Sequence, residues 1–200
     1  MKKILVIQSS LNSSNGNSYK LAEKYINELT KTMSVDVSTR NLADSELPHL
    51  NDAEMSAWMT PEEARSSEQQ ALAQISDEIV LEVERADEIV LAVPMYNFGI
   101  PSSLKAWFDR LARAGRTFKY TENGPVGLLK DKKVTVLAAR GGIYAGTPLD
   151  TQTEYLKHFW QFLGVNDVNF VYAEGLAMGE EAANEAWKSA EKNIFELIGA

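Results

Sequence analysis

The chain has 200 residues, 44% of them hydrophobic, enough to bury the core of one domain. Its formal net charge of −8 argues against nucleic acid as the main partner, because phosphate neutralisation dominates such affinity. It has no cysteine, which excludes a disulfide framework, a thiolate metal site and a redox thiol, so any redox chemistry has to come from a bound cofactor.

The N-terminus, Met1-Lys2-Lys3-Ile4-Leu5-Val6-Ile7, carries an apolar run too short for a secretory signal and reads as a first strand, Lys3–Gln8. No stretch approaches the roughly 20 apolar residues that cross a bilayer, and a cytoplasmic protein is expected. A Ser- and Asn-rich loop follows, then a helix from Ser18 to about Lys31 with Leu21, Tyr25 and Leu29 on one face. Val35–Arg40 is a second strand. The stretch from Asn41 to about Thr60 is polar and irregular. Thr60-Pro61-Glu62-Glu63 reads as an N-cap, an N1 proline and a Glu at N3. That helix is expected to break near Ser66-Ser67 and resume with Leu72, Ile75, Ile79 and Val83 on a stripe.

Glu88–Val93 is a third strand, ending in Pro94-Met95-Tyr96-Asn97-Phe98-Gly99-Ile100-Pro101 and a helix from Ser103 to about Ala112. Between Arg116 and Lys132 the Asn123-Gly124 step separates two β-like runs, which predicts a hairpin. Lys133–Ala139 and Asp167–Tyr172 complete the strands, with helices over Thr151–Leu163 and about Glu180–Ile198. Strands one, three and four are nearly continuously apolar, as strands buried on both faces are. Five strands alternating with helices predict a doubly wound parallel α/β sheet with helices on both faces, in strand order 2-1-3-4-5, spanning residues 1–200 as a single domain.

In such a sheet ligands bind outside the carboxyl ends of the strands, and three loops there carry suitable chemistry. The loop after strand one runs Ser9-Ser10-Leu11-Asn12-Ser13-Ser14-Asn15-Gly16-Asn17-Ser18 into a helix N-terminus. Backbone N–H groups there, with the hydroxyls of Ser10 and Ser18 and the amide of Asn17, suit an anion. It has neither the lysine of a P-loop nor a G-x-G-x-x-G, and a solvated loop with an ordinary cap is its plainer reading. The loop after strand three places Tyr96, Asn97 and Phe98 side by side, suiting a flat, hydrogen-bonding ring, although aromatics joining the core would explain them equally well. The loop after strand four, Ala139-Arg140-Gly141-Gly142-Ile143-Tyr144, allows close backbone approach and offers Arg140 as a neutralising charge. A tight turn is its plainer reading. Taken together the three loops suit a phosphorylated flat heterocycle such as FMN.

With those residues in view, the chain resembles the FMN-dependent NADH-azoreductases, flavodoxin-like reductases of quinones and azo compounds. The resemblance spans essentially the whole length. It rests on Met95-Tyr96-Asn97-Phe98, Arg140-Gly141-Gly142, the Ser-rich loop, Arg113-Ala114-Gly115 with Phe118-Lys119-Tyr120-Thr121-Glu122-Asn123-Gly124-Pro125, and Tyr172-Ala173-Glu174-Gly175. It implies a homodimer with one FMN per subunit and NADH as electron donor. It also implies ping-pong use of one site, first by NADH and then by a quinone or azo acceptor. By resemblance Ser10, Gly16, Asn17 and Ser18 hold the phosphate, Met95, Tyr96, Asn97 and Phe98 line the ring, and Ala139, Arg140, Gly141 and Gly142 flank its other side. Met59, Tyr120, Tyr144 and Phe162 are expected at the substrate mouth, with one of Tyr120 and Phe162 supplied by the partner subunit. No side-chain nucleophile and no metal is expected to take part. The chain departs from the family at Ala139, where members carry a serine, at Tyr144, where histidine occurs, and at Met59, where arginine occurs. A flavodoxin-type electron carrier is the alternative reading, and the acidic charge agrees with it. A phospho-receiver domain is excluded, because Gln8-Ser9-Ser10 and Pro94-Met95-Tyr96 stand where its aspartates belong.

Overall fold

The computed structural model describes residues 1–44 and 47–199. Five parallel strands form the central sheet: β1 (Lys2–Gln8), β2 (Val35–Asn41), β3 (Glu88–Pro94), β6 (Lys133–Ala139) and β7 (Asp167–Ala173). Their spatial order is β2-β1-β3-β6-β7, the expected order once the hairpin β4 (Phe118–Thr121) and β5 (Gly124–Gly127) is set aside. The described residues form six α-helices: α1 (Asn17–Thr32), α2 (Asp52–Met59), α3 (Ser67–Arg85), α4 (Ser102–Leu111), α5 (Thr151–Phe162) and α6 (Glu180–Gly199). Among the described residues no helix is long and apolar enough to cross a membrane.

The period-two geometry of a strand divides the core into two layers. Ile4, Val6, Val90, Ala92 and Leu137 face α1 and α6, meeting Leu21, Tyr25, Leu29, Ala190 and Ile194. Leu5, Ile7, Leu91, Val93, Val136 and Ala138 face the other way, onto Ile79 and Val83 of α3, Trp107 and Phe108 of α4, and Leu156 and Trp160 of α5. β3 is buried along its whole length, whereas the edge strand β2 is largely exposed. That difference matches their sequences, one apolar from Ile89 to Val93 and the other apolar only at Val35 and Val37.

Two local expectations change. The stretch 41–60 contains a helix, α2, capped by the Asn51 side chain accepting from the Glu54 N–H at 2.9 Å. Thr60 is therefore the C-cap of α2 rather than the N-cap of a following helix. A 3-10 turn, Glu62–Ala64, follows, and the next α-helix begins at Ser67, at the break expected near Ser66-Ser67, where Ser66 and Gln69 form a reciprocal capping box. The irregular structure expected at Ser45 and Glu46 lies outside the described residues. In the hairpin, Thr121 pairs with Gly124, so the connecting residues are Glu122 and Asn123. Gly124 supplies the left-handed backbone, at φ +106°.

α2 is fixed to α4 by a buried ion pair. The Arg110 guanidinium donates from Nε and Nη2 to both oxygens of Glu54 at 2.7 Å, and from Nη1 to the Ala106 carbonyl at 3.0 Å. Arg113 lies over the Trp58 ring at 5.2 Å and donates to Ser76 and Asp77. α4 leaves directly from the loop after β3, so this network also anchors the far end of the helix that carries that loop.

Candidate active site

The carboxyl ends of β1, β3 and β6 open into a cleft of about 210 Å³. It lies where β1 and β3 are neighbours while their connections run to opposite sides, the position at which open α/β sheets bind ligands. Ser10, Asn12, Gly16, Asn17 and Ser18 line it from the first loop, Pro94, Met95 and Tyr96 from the second, and Ala139, Arg140 and Gly141 from the third. Leu176 and Ala177 close it from the segment after β7, a wall to which the strand-end argument gave no weight. Asn97, Phe98 and Gly142 belong to the same loops but stand outside the cleft's lining.

The first loop folds through a 3-10 turn, Ser13–Asn15, with Ser13 at φ +44°. Gly16 is required for its closure: a Cβ there would lie 2.3 Å from Ser10 Oγ and 2.8 Å from Ser10 Cβ. α1 then begins with no side chain capping it and no acidic residue in its first turn. The Ser18 hydroxyl in that turn is buried and has no hydrogen-bond partner. A buried unpaired hydroxyl is costly. Beside the free N–H groups of a helix start it forms a donor set that an anion would satisfy.

The second loop makes a tight reversal. Tyr96 and Gly99 exchange backbone hydrogen bonds at 3.0 and 2.9 Å, and the two residues between them are left-handed, Asn97 at φ +50° and Phe98 at φ +65°. This sign pattern is that of a type I′ turn. Asn tolerates the conformation, but for Phe it costs on the order of 1 kcal/mol or more. The Leu11 N–H donates to the Tyr96 hydroxyl at 3.2 Å, tying the first loop to the second.

The third loop reverses one expectation. Arg140 borders the cleft, but its side chain is 0% exposed and turns away into the protein. It donates to Asp150 and Glu174 at 3.0 Å each, to Gln152 Oε1 at 3.2 Å and to Thr153 at 3.1 Å, and it stacks over Tyr172. Two carboxylates already satisfy this guanidinium, so it is a structural hub rather than a neutralising charge aimed at a ligand. Burial opposes ionisation of Asp150, but bonds from Thr153 and Arg140 outweigh it and hold its carboxyl below the usual range. Burial likewise pushes the Tyr172 phenol up, against the pull of Thr153 and Arg140. Glu174 Oε1 also accepts from the N–H groups of Tyr144 and Ala145 at 3.0 Å, which fixes the turn after Gly142. Asp150, Gln152 and Thr153 carried no sequence signal, since nothing in the chain's order places them beside Arg140.

The four residues expected at the substrate mouth fall into separate groups. Tyr144 packs over Gly142, where a Cβ would lie 2.7 Å from its ring, and meets Phe98 edge-on at 5.8 Å. These two rings therefore bridge the second and third loops beside the cleft. Tyr120 and Phe162 instead flank Phe118, at 5.3 and 4.5 Å between ring centres, on the hairpin and the end of α5. Tyr120 is 74% exposed, and Met59, at the end of α2, is 79% exposed. Neither Met59, Tyr120 nor Phe162 lines the cleft of the same chain.

The family described as having a flavodoxin-like fold matches residues 2–198. An FMN-dependent NADH:quinone oxidoreductase of Alteromonas mediterranea is 62% identical, covering 98% of each chain. A protein of the same name from Cellvibrio japonicus is 51% identical over the full length of both. Among solved structures, an FMN-dependent NADH-azoreductase from Bacillus anthracis in complex with FMN superposes with a TM-score of 0.87 at 30% identity, covering 99% of this chain and 100% of that one. The strand order, the cleft at its crossing point and these similarities together place the chain in the flavodoxin-like family that includes the FMN-dependent NADH:quinone oxidoreductases.

Proposed function

We propose that this protein is an FMN-dependent NADH:quinone oxidoreductase that also reduces azo compounds. The observation that carries the reading is the conjunction, at one strand crossing, of an anion-binding helix start with an unpaired buried hydroxyl and a turn held in a left-handed conformation. The residues fit FMN: Ser10, Gly16, Asn17 and Ser18 would receive the phosphate, and Met95 to Phe98 with Ala139, Gly141 and Gly142 would hold the ring. Arg140 borders the cleft, but its side chain is committed elsewhere and its backbone N–H and carbonyl are bonded to Ala173 and Leu176. When bound, FMN supplies the hydride-transfer chemistry between NADH and the acceptor. The chain's own task is binding, orientation and the exclusion of water. The first loop offers backbone and hydroxyl donors to a dianion. The backbone N–H groups of the Gly141-Gly142 turn favour negative charge developing at the polar edge of the ring.

The reading extends to a single FMN-binding unit over residues 1–200, acting in the cytoplasm as a homodimer. Phe98, Ile143, Leu149 and Met178, in the segments that follow β3, β6 and β7, are all at least half exposed, and a second subunit would cover them. In that arrangement Tyr120 and Phe162 of one subunit complete the mouth of the other's site. NADH-driven quinone reduction that disappears on removal of FMN and returns on its addition tests the function. Turnover that is indifferent to FMN would refute it.

A further inference from the structure

We propose that Thr151 and Gln152, the first two residues of α5, are positioning residues that set the ring-side turn at Asn97 and Phe98. The inference rests on the FMN reading and adds to it a pair of residues outside the cleft's lining. Three carbonyls in and beside this turn are held by the two. Gln152 Nε2 donates to the Pro94 carbonyl at 3.0 Å and to the Gly99 carbonyl at 3.2 Å, and the Thr151 hydroxyl donates to the Phe98 carbonyl. The gripped residues bracket a left-handed Phe, which a free loop would relax.

The orientation of Gln152 is determined rather than chosen. Its Oε1 accepts from Arg140 Nε at 3.2 Å. A guanidinium only donates, so the amide oxygen must face Arg140 and the amide nitrogen must face the two carbonyls. The side chain is buried, with both ends used. Arg140 in turn is bound by Glu174, which holds the N–H groups of Tyr144 and Ala145. One continuous chain of hydrogen bonds therefore runs from the turn after β6 to the turn after β3, and Gln152 is its junction. Displacing that junction shifts one wall of the ring site relative to the other.

The test compares wild type with Gln152→Glu, Thr151→Val and Thr151→Ser. Gln152→Glu keeps an acceptor for Arg140 and removes both donors to the loop. Thr151→Val keeps the shape of an exposed side chain and removes its hydroxyl. Thr151→Ser returns the hydroxyl. FMN dissociation constants, midpoint potentials of the bound FMN and melting temperatures of the apoproteins are measured. FMN binding should weaken about tenfold in Gln152→Glu and about threefold in Thr151→Val, as for loss of one or two hydrogen bonds, with a shifted potential in both and recovery in Thr151→Ser. Apoprotein melting should move little for the Thr151 pair, so a loss of binding there reports position rather than stability. Unchanged affinity and potential in Thr151→Val and in any folded Gln152→Glu overturn the proposal. If Gln152→Glu does not fold, Thr151→Val alone decides. Wild-type apoprotein that fails to bind FMN overturns the functional reading and, with it, this one.

Discussion

Gly16 is the residue on which the anion end of the site turns. Its missing Cβ lets Ser10 close over the loop, which places the start of α1, with its buried Ser18 hydroxyl, against the cleft. A Gly16→Ala chain has to push Ser10 and the loop outward, since the obstruction includes a Cβ and not only a mobile hydroxyl. We expect FMN affinity to fall at least about tenfold, roughly 1.4 kcal/mol, while affinity for riboflavin, which lacks the phosphate, changes far less. Equal losses for both ligands, read by flavin fluorescence, would detach Gly16 from phosphate binding. Arg140 teaches a different lesson at this scale. A cation after a strand end reads as an anion ligand, and only the fold reveals that Asp150 and Glu174 have already claimed it. Ser18 was legible from its place at a helix start, whereas Gln152 was not, because its partners are brought to it by tertiary structure.

Among elements, the central strands β1, β3 and β6 were the most legible, since their apolar runs, buried on both faces, leave little else for those residues to form. The helix α2 was invisible for a physical reason. Its buried face consists of Ala57 and Glu54, and the latter is buried through its bond to Arg110 rather than through apolar character. A periodicity search has nothing to detect there. The hairpin was foreseen, though its connecting residues sit one position earlier than the Asn-Gly step indicated. It docks through glycine: a Cβ on Gly127 would lie 2.0 Å from the Gly164 nitrogen and 2.1 Å from the Leu163 carbonyl carbon. Those are backbone atoms that no rotamer change can move. Gly127→Ala should therefore destabilise the protein by at least about 2 kcal/mol, within the range for overpacking, and displace Phe118 and Tyr120 from Phe162. A denaturant midpoint within error of wild type would show that the hairpin seats without this contact.

At the scale of the whole molecule the two ends of the sheet do different work. The carboxyl end holds the cleft. The amino end holds a buried polar cluster in which Glu88 accepts from Lys2 at 2.6 Å, from Tyr25 at 2.7 Å and from Thr135 at 2.7 Å. Burial opposes ionisation of Glu88, yet those three donors prevail and hold its carboxyl below the usual value, while burial beside this carboxylate pushes the Tyr25 phenol well up. A depressed carboxyl contributes stability that is complete above its unfolded value, about 4.3, and that is lost as pH falls through the lower folded value. The melting temperature of wild type should accordingly fall across that acid window, and Glu88→Gln should lose this part of the dependence. Parallel acid profiles would assign the acid sensitivity to other carboxylates. This cluster sits at the end opposite the cleft, so the variant's affinity for FMN should be retained.

The central claim is that the cleft supports two hydride half-reactions in turn, and it is tested most directly by separating them. The FMN-loaded protein is mixed anaerobically with NADH, its visible flavin absorbance is followed, and a quinone is then added. The absorbance is expected to bleach within seconds to minutes with one NADH consumed per flavin, and the quinone to restore it. Flavin that stays oxidised with NADH, or that bleaches but is not restored by quinone, would contradict a reductase and favour an electron carrier built on the same fold.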